Sequence, residues 1–184
     1  MRSFSDLFRN FIQLGYVTDD IDAATSYLES SLGTVECVRH YKSSLGGGRP
    51  PAGDEPGSSD FVVVDGVPAD EWVIDVALVN AGATNIEIIR PVEGAVALYH
   101  RGVRPEMPAT LHHVAFRVED FDEASALVTG AGKSWAQYGR SGPIRFGYVD
   151  LTAELGHFVE IMEYSGEGTS PFAYLHAASN ASRG

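Results

Sequence analysis

The chain carries one pattern twice. QLGYVTDDIDAATSYL from Gln13 and HVAFRVEDFDEASALV from His113 align without a gap at an offset of 100 residues. Asp20, Asp22 and Ala24 meet Asp120, Asp122 and Ala124, while Tyr16 meets Phe116 and Ile21 meets Phe121. Such self-similarity constrains a fold strongly, because each copy must form the same supersecondary unit. In each copy an alternating run predicts a strand. The aspartates after it suit an N-cap and the positive end of a helix dipole, and an amphipathic helix follows. Glycines close the helices, Gly33 in the first copy and Gly130 and Gly132 in the second.

A second matched pair lies farther along. NIEII (85–89) resembles FVEIM (158–162), with Glu87 over Glu160, but at an offset of 73. The first copy therefore holds about 27 additional residues, visible as SSLGGGRPPAGDEPGSSD, whose Gly and Pro clusters exclude a regular element. TVECVRHY and EWVIDVALV in the first copy, and SWAQYG and IRFGYVDL in the second, read as further strands. Each copy is then a βαβββ module in an α+β fold, with DFVVVDG a candidate additional strand of module one. The predicted organisation is an N-terminal extension (1–9), module one (10–92) with a Gly/Pro-rich insertion (43–60), a linker (93–110), module two (111–164) and a tail (165–184). The linker PVEGAVALYHRGVRPEMPAT reads as a short helix and an extended segment. GGGRPPAG lacks the Lys-Ser/Thr of a phosphate loop and reads as a mobile surface loop or lid.

The 184 residues suffice for one substantial core or two small, tightly joined modules. No apolar run approaches the roughly 18 residues of a membrane span, and no leader pattern opens the sequence. Cys37 is the single cysteine, which fits a reducing cytoplasm and a packing role in a strand. A net charge of −12 argues against nucleic-acid binding, which needs clustered Lys and Arg.

Strand parity separates the side chains into two faces. Ile12, Leu14 and Tyr16 oppose Gln13, Gly15 and Val17; His112, Val114 and Phe116 oppose His113, Ala115 and Arg117. The bulky faces suit packing under the helices. In the closing strands Ile86 and Ile88 oppose Glu87, and Val159 and Ile161 oppose Glu160. A glutamate centred in an apolar strand is costly to bury unless paired, protonated or bound to metal. Taken singly, such a glutamate is more often at a rim, and a histidine more often a core residue. In register within a repeat, Gln13, Glu87, His113 and Glu160 read as one polar site. Their donors suit a divalent ion, whether Zn, Ni, Co, Mn, Mg or Fe. His112 is expected to point away. His100, His157 and His176 have no matched partners, and Trp72, Phe146 and Tyr148 suit either an aromatic pocket wall or the core.

These modules, with their helix-opening DxD and closing xEx strand, resemble the vicinal oxygen chelate superfamily, the glyoxalase, bleomycin-resistance and extradiol dioxygenase group, over residues 10–164. The resemblance implies tandem modules forming a U-shaped mixed sheet around a metal, with ligands at Gln13, Glu87, His113 and Glu160. It also implies a homodimer, with the modules paired within one chain or across two. The ligand set resembles glyoxalase I, while the linker looks like that of methylmalonyl-CoA epimerases, whose pattern places His first and Gln second where this chain has Gln13 and Glu87. The leading expectation is a metal-dependent lyase or isomerase acting on a small carbonyl or hydroxy-carbonyl substrate through a metal-stabilised enediolate or enolate, with Glu160 as base. Arg117 is a candidate for the substrate's remote end, against a surface role paired with Glu119 or Asp120. The alternatives are a metal-free drug-binding protein and an extradiol-type dioxygenase, which needs two histidines and one carboxylate.

Overall fold

The computed structural model describes residues 2–32, 37–44, 60–81 and 84–165. A short 3-10 helix, Phe4–Phe8, precedes strand β1 (Phe11–Val17) and helix α1 (Ile21–Leu32). Strands β2 (Cys37–Ser44), β3 (Phe61–Val64), β4 (Val67–Pro68), β5 (Trp72–Ala81) and β6 (Thr84–Gly94) follow. A one-turn helix, α2 (Ala97–His100), lies in the connection to β7 (Thr110–Val118). Then come α3 (Phe121–Gly130), β8 (Trp135–Ser141), β9 (Ile144–Leu151), α4 (Thr152–Leu155) and β10 (His157–Tyr164).

The duplicated aspartates act as the duplicated sequence predicts. Asp20 accepts from the backbone N–H groups of Asp22 and Ala23 at 3.1 and 2.9 Å. Asp120 accepts from the N–H of Glu123 at 2.8 Å. Each carboxylate satisfies donors that the first helical turn leaves unpaired. Beyond α3, Gly132 takes a left-handed φ of 71°, the turn conformation that ends the helix. Gly33, most of the insertion (45–59) with its expected mobility and lid role, and the tail beyond 165 lie outside the described residues.

Among the described residues, all ten strands form one mixed, curled sheet in the order β2-β5-β6-β1-β7-β10-β9-β8-β3-β4. Its two halves mirror each other. β1 is parallel to β6 as β7 is to β10, and the halves join where β1 and β7 run antiparallel. The additional strand DFVVVDG does form, as β3, but it departs from module one. It pairs with β8 of module two, covering an edge that would otherwise expose unpaired backbone groups, and Val62 and Val63 are buried there.

The outer face of each half packs under its helix. Ala24 of α1 lies with Ala77, Val79, Ile86 and Ile88; Ala124 and Val128 of α3 lie with Val149, Leu151, Val159 and Ile161. A third cluster occupies the inner, concave face and includes Trp72, Leu78, Tyr99, Phe146, Tyr148, Phe158 and Met162. Trp72, Phe146 and Tyr148 therefore combine the two roles considered for them, being core side chains beside the polar site.

One parity expectation fails at two equivalent places. Phe11 pairs with Phe116 and Gln13 with Ala115, leaving Ile12 as an extra residue in β1. Likewise Gly15 pairs with His113 and Tyr16 with Leu111, leaving His112 extra in β7. Positions 12 and 112 are duplicates, so the two strands carry matched β-bulges. A bulge inserts one unpaired residue and breaks the strict alternation of faces. Ile12 consequently packs against the inner cluster. His112 does not point away, as alternation predicts, but stacks on Phe158 of that cluster.

Candidate metal centre

The four predicted ligands stand in two rows across the sheet. Glu87, Gly15 and His113 are lateral neighbours on β6, β1 and β7. Gln13, Ala115 and Glu160 are lateral neighbours on β1, β7 and β10. Adjacent strands lie about 4.8 Å apart, so the outer members of a row converge only if the middle residue is small. Gly15 meets this need. A Cβ built there would lie 1.9 Å from His113 Cε1 and 2.1 Å from Nε2, so the imidazole occupies the space that the missing side chain leaves.

Glu87, His113 and Glu160 form a group whose ligand atoms all lie within 4.8 Å of one another. His113 Nε2 is 3.4 Å from Glu87 Oε2 and 3.3 Å from Glu160 Oε2. His113 is fully buried and Glu160 nearly so, while the Glu87 side chain is 18% exposed and opens the group to solvent. His113 Nε2, Glu160 Oε2 and Gln13 Oε1 are buried without a hydrogen-bond partner, and orphaned buried polar atoms are costly. Gln13 Nε2 donates to Asn85 Oδ1 at 2.9 Å, which turns the amide so that its oxygen is the free atom. Oxygen and imidazole donors of this kind fit a divalent ion. The group can therefore hold one, and its site is assembled within one chain.

Proton affinities reflect the crowding. Burial opposes charge on His113, but the nearby Glu160 carboxylate, and then that of Glu87, overcome it and raise the pKa to about 9. Burial likewise raises the Glu160 carboxyl above its usual range, against the pull of His113. His112 is driven the other way, to about 3, by burial and then by repulsion from His113. Tyr148 pairs with Glu160 across the strands and sets its ring edge-on to His113 at 5.0 Å. Burial and then the Glu160 charge push its phenol well up.

Several of these residues escape a reading of the sequence. Asn85 is two residues before Glu87 on the same strand, so parity could have found it. Tyr99 sits in the linker helix and accepts from Gln137 Nε2 at 2.7 Å; nothing in the repeat marks either residue. Arg117 pairs with Met162 at the end of β7. It lines a separate cavity of about 400 Å³ with Arg2, Asp6, Arg9 and Glu123, and Glu87, His113 and Glu160 do not contribute to that cavity.

The profile of the Glyoxalase/Bleomycin resistance protein/Dioxygenase superfamily matches residues 12–148. The chain belongs to this superfamily. The match takes in Gln13, Glu87 and His113 and ends before Glu160. Among the curated proteins no relative matches the sequence. Among solved structures, a methylmalonyl-CoA epimerase from Mycobacterium tuberculosis is 16% identical, with a TM-score of 0.54 over 88% of this chain and 91% of that one. A hypothetical protein from Bacillus halodurans C-125 is 14% identical, with a TM-score of 0.55 over 88% and 98%. A Streptomyces coelicolor methylmalonyl-CoA epimerase in complex with 2-nitronate-propionyl-CoA is 17% identical, with a TM-score of 0.54 over 85% and 98%. At such identity the likeness is one of fold. Among the described residues, no helix is long and apolar enough to cross a membrane.

Proposed function

We propose that this superfamily member is a divalent-metal-dependent, glyoxalase-like lyase or isomerase that moves a proton beside a carbonyl of a small substrate. The observation that carries this reading is the group of Glu87, His113 and Glu160 with its orphaned donor atoms. Gln13, Glu87, His113 and Glu160 would hold the ion, which when bound supplies Lewis-acid polarisation of substrate oxygens. Glu160 is the base. Its raised pKa suits a carboxylate that must both take a proton and give it back. Trp72, Phe146, Tyr148 and Phe158 pack the inner face and limit water at the reacting carbon. Arg117 has no part in this proposal, because the cavity it lines is a different one.

A dioxygenase centre of two histidines and one carboxylate fits less well, since the group holds one histidine and two carboxylates. The deciding experiment loads chelator-stripped protein with Zn, Ni, Co or Mn and follows solvent deuterium into α-hydroxy and α-keto carbonyl compounds, methylmalonyl-CoA included. Exchange that depends on metal, and is lost in Glu160→Gln with metal retained, is expected. Metal-dependent oxygen uptake without exchange would replace the isomerase with a dioxygenase, and failure to bind any divalent ion would leave a binding protein. The reading includes a homodimer in the cytoplasm; a monomer in sedimentation equilibrium would remove the first part.

A further inference from the structure

Two histidines stand side by side on the inner face, and only one belongs to the metal-ligating group. The bulge at His112 turns its ring toward His113, and the two Nδ1 atoms are 3.1 Å apart. One of them must donate and the other accept. A histidine that ligates through Nε2 carries its remaining proton on Nδ1, and that proton needs an acceptor to fix tautomer and ring plane. We infer that His112 is a positioning residue: its Nδ1 accepts the Nδ1–H of His113 and leaves the His113 Nε2 lone pair free for the metal. The inference rests on His113 being a ligand, as proposed above.

The surroundings suit the task. His112 is buried and stacked on Phe158, with ring centres 4.8 Å apart and planes at 29°. Tyr99 lies 5.1 Å away at 30° and Tyr148 packs edge-on at 5.8 Å. Three aromatic rings thus hold the imidazole plane. His112 Nε2, on the far side of the ring, is buried without a hydrogen-bond partner. The more familiar acceptor behind a ligating histidine is a carboxylate or backbone carbonyl. A carboxylate would add a third negative charge beside Glu87 and Glu160. A neutral imidazole orients His113 without that charge, so the bound ion keeps more of its Lewis acidity.

The test uses the full chain and zinc alone as probe. His112→Phe preserves an aromatic ring for the stack but removes the acceptor, whereas His112→Asn offers an amide oxygen near the place of Nδ1. Zinc affinity, measured by chelator competition, should fall roughly 10–100-fold in His112→Phe and recover to within about threefold of wild type in His112→Asn. Long-range ¹⁵N–¹H spectra of the wild type should show His112 protonated at Nε2 alone, with and without zinc, and zinc-loaded His113 protonated at Nδ1 alone. Wild-type zinc affinity in His112→Phe, no rescue by His112→Asn, or the opposite tautomer at His112 would each overturn the inference. If His112→Phe does not fold, the wild-type spectra and His112→Asn still decide. Absence of zinc binding by the wild type strikes the proposed function instead, and the His112 tautomer in the metal-free protein then judges this proposal separately.

Discussion

Gly15→Ala should damage the metal centre while adding only one methyl group. The added Cβ would fall 1.9, 2.1 and 2.3 Å from Cε1, Nε2 and Nδ1 of His113. Carbon contacts prefer about 3.5–4.0 Å, so the ring must retreat by roughly 1.5 Å. Metal–ligand distances tolerate only about 0.2 Å, so a ring displaced that far no longer ligates. Gly15 is absent from the left-handed positions, which means that any cost comes from the clash and not from backbone strain. Overpacking of this kind costs about 1–3 kcal/mol. The control is the same substitution in a His113→Ala background, where the methyl enters vacated space. Relief of glycine's entropy cost in a strand then makes it neutral or stabilising by about 0.5–1 kcal/mol. Urea unfolding of the chelator-treated proteins should therefore show a coupling of at least about 1 kcal/mol, and zinc titration should show Gly15→Ala as weak as His113→Ala. Equal costs in the two backgrounds, or wild-type zinc affinity in Gly15→Ala, would refute the placement of His113 over Gly15.

Asn85→Leu frees the Gln13 amide to rotate, so zinc affinity should fall by up to about tenfold in chelator competition while thermal stability changes little; an unaltered affinity would remove Gln13 from the ligands. Asp120→Ala deletes the cap of α3 and should cost about 1 kcal/mol, seen as a melting shift of roughly 2–4 °C, with zinc binding unchanged because α3 lies on the outer face. Ile161→Ala, beneath α3, should cost about 2–5 kcal/mol in urea unfolding, and a loss under 1 kcal/mol would contradict its burial at 0% exposure. The metal must displace the proton on His113, so manganese affinity should rise with pH, by up to about tenfold per unit, toward the pKa of about 9. In the metal-free protein the raised pKa has the reverse consequence: its stabilisation is complete below the unfolded value of 6.5 and disappears as pH rises through about 9. A manganese affinity that is flat from about pH 6.5 to 8.5 would show that His113 carries no such proton.

The repeat made the fold legible because alternation and capping are local. A strand with Glu87 between Ile86 and Ile88, or an Asp20 ahead of a helix, announces itself within a few residues, and doubling removes the ambiguity. The bulges and the migration of β3 to β8 were not legible, because both depend on pairing between segments far apart in the chain. The same divide runs through the site. Gln13 and His113 are duplicates, but each is oriented by a different device. Beside Gln13 stands Asn85, which takes a hydrogen bond from its amide; at the duplicate place beside His113 stands Phe158, which cannot. Phe158 instead stacks on His112, and His112 reaches His113. Module one thus orients Gln13 directly, with the apolar Ile12 filling its bulge, and module two orients His113 through the residue in the bulge. The adjacent histidines at 112 and 113 make sense only when that asymmetry is seen. Once Phe158 occupies the place of Asn85, the polar partner that His113 needs must come from its own strand, and the bulge is what lets the preceding residue supply it.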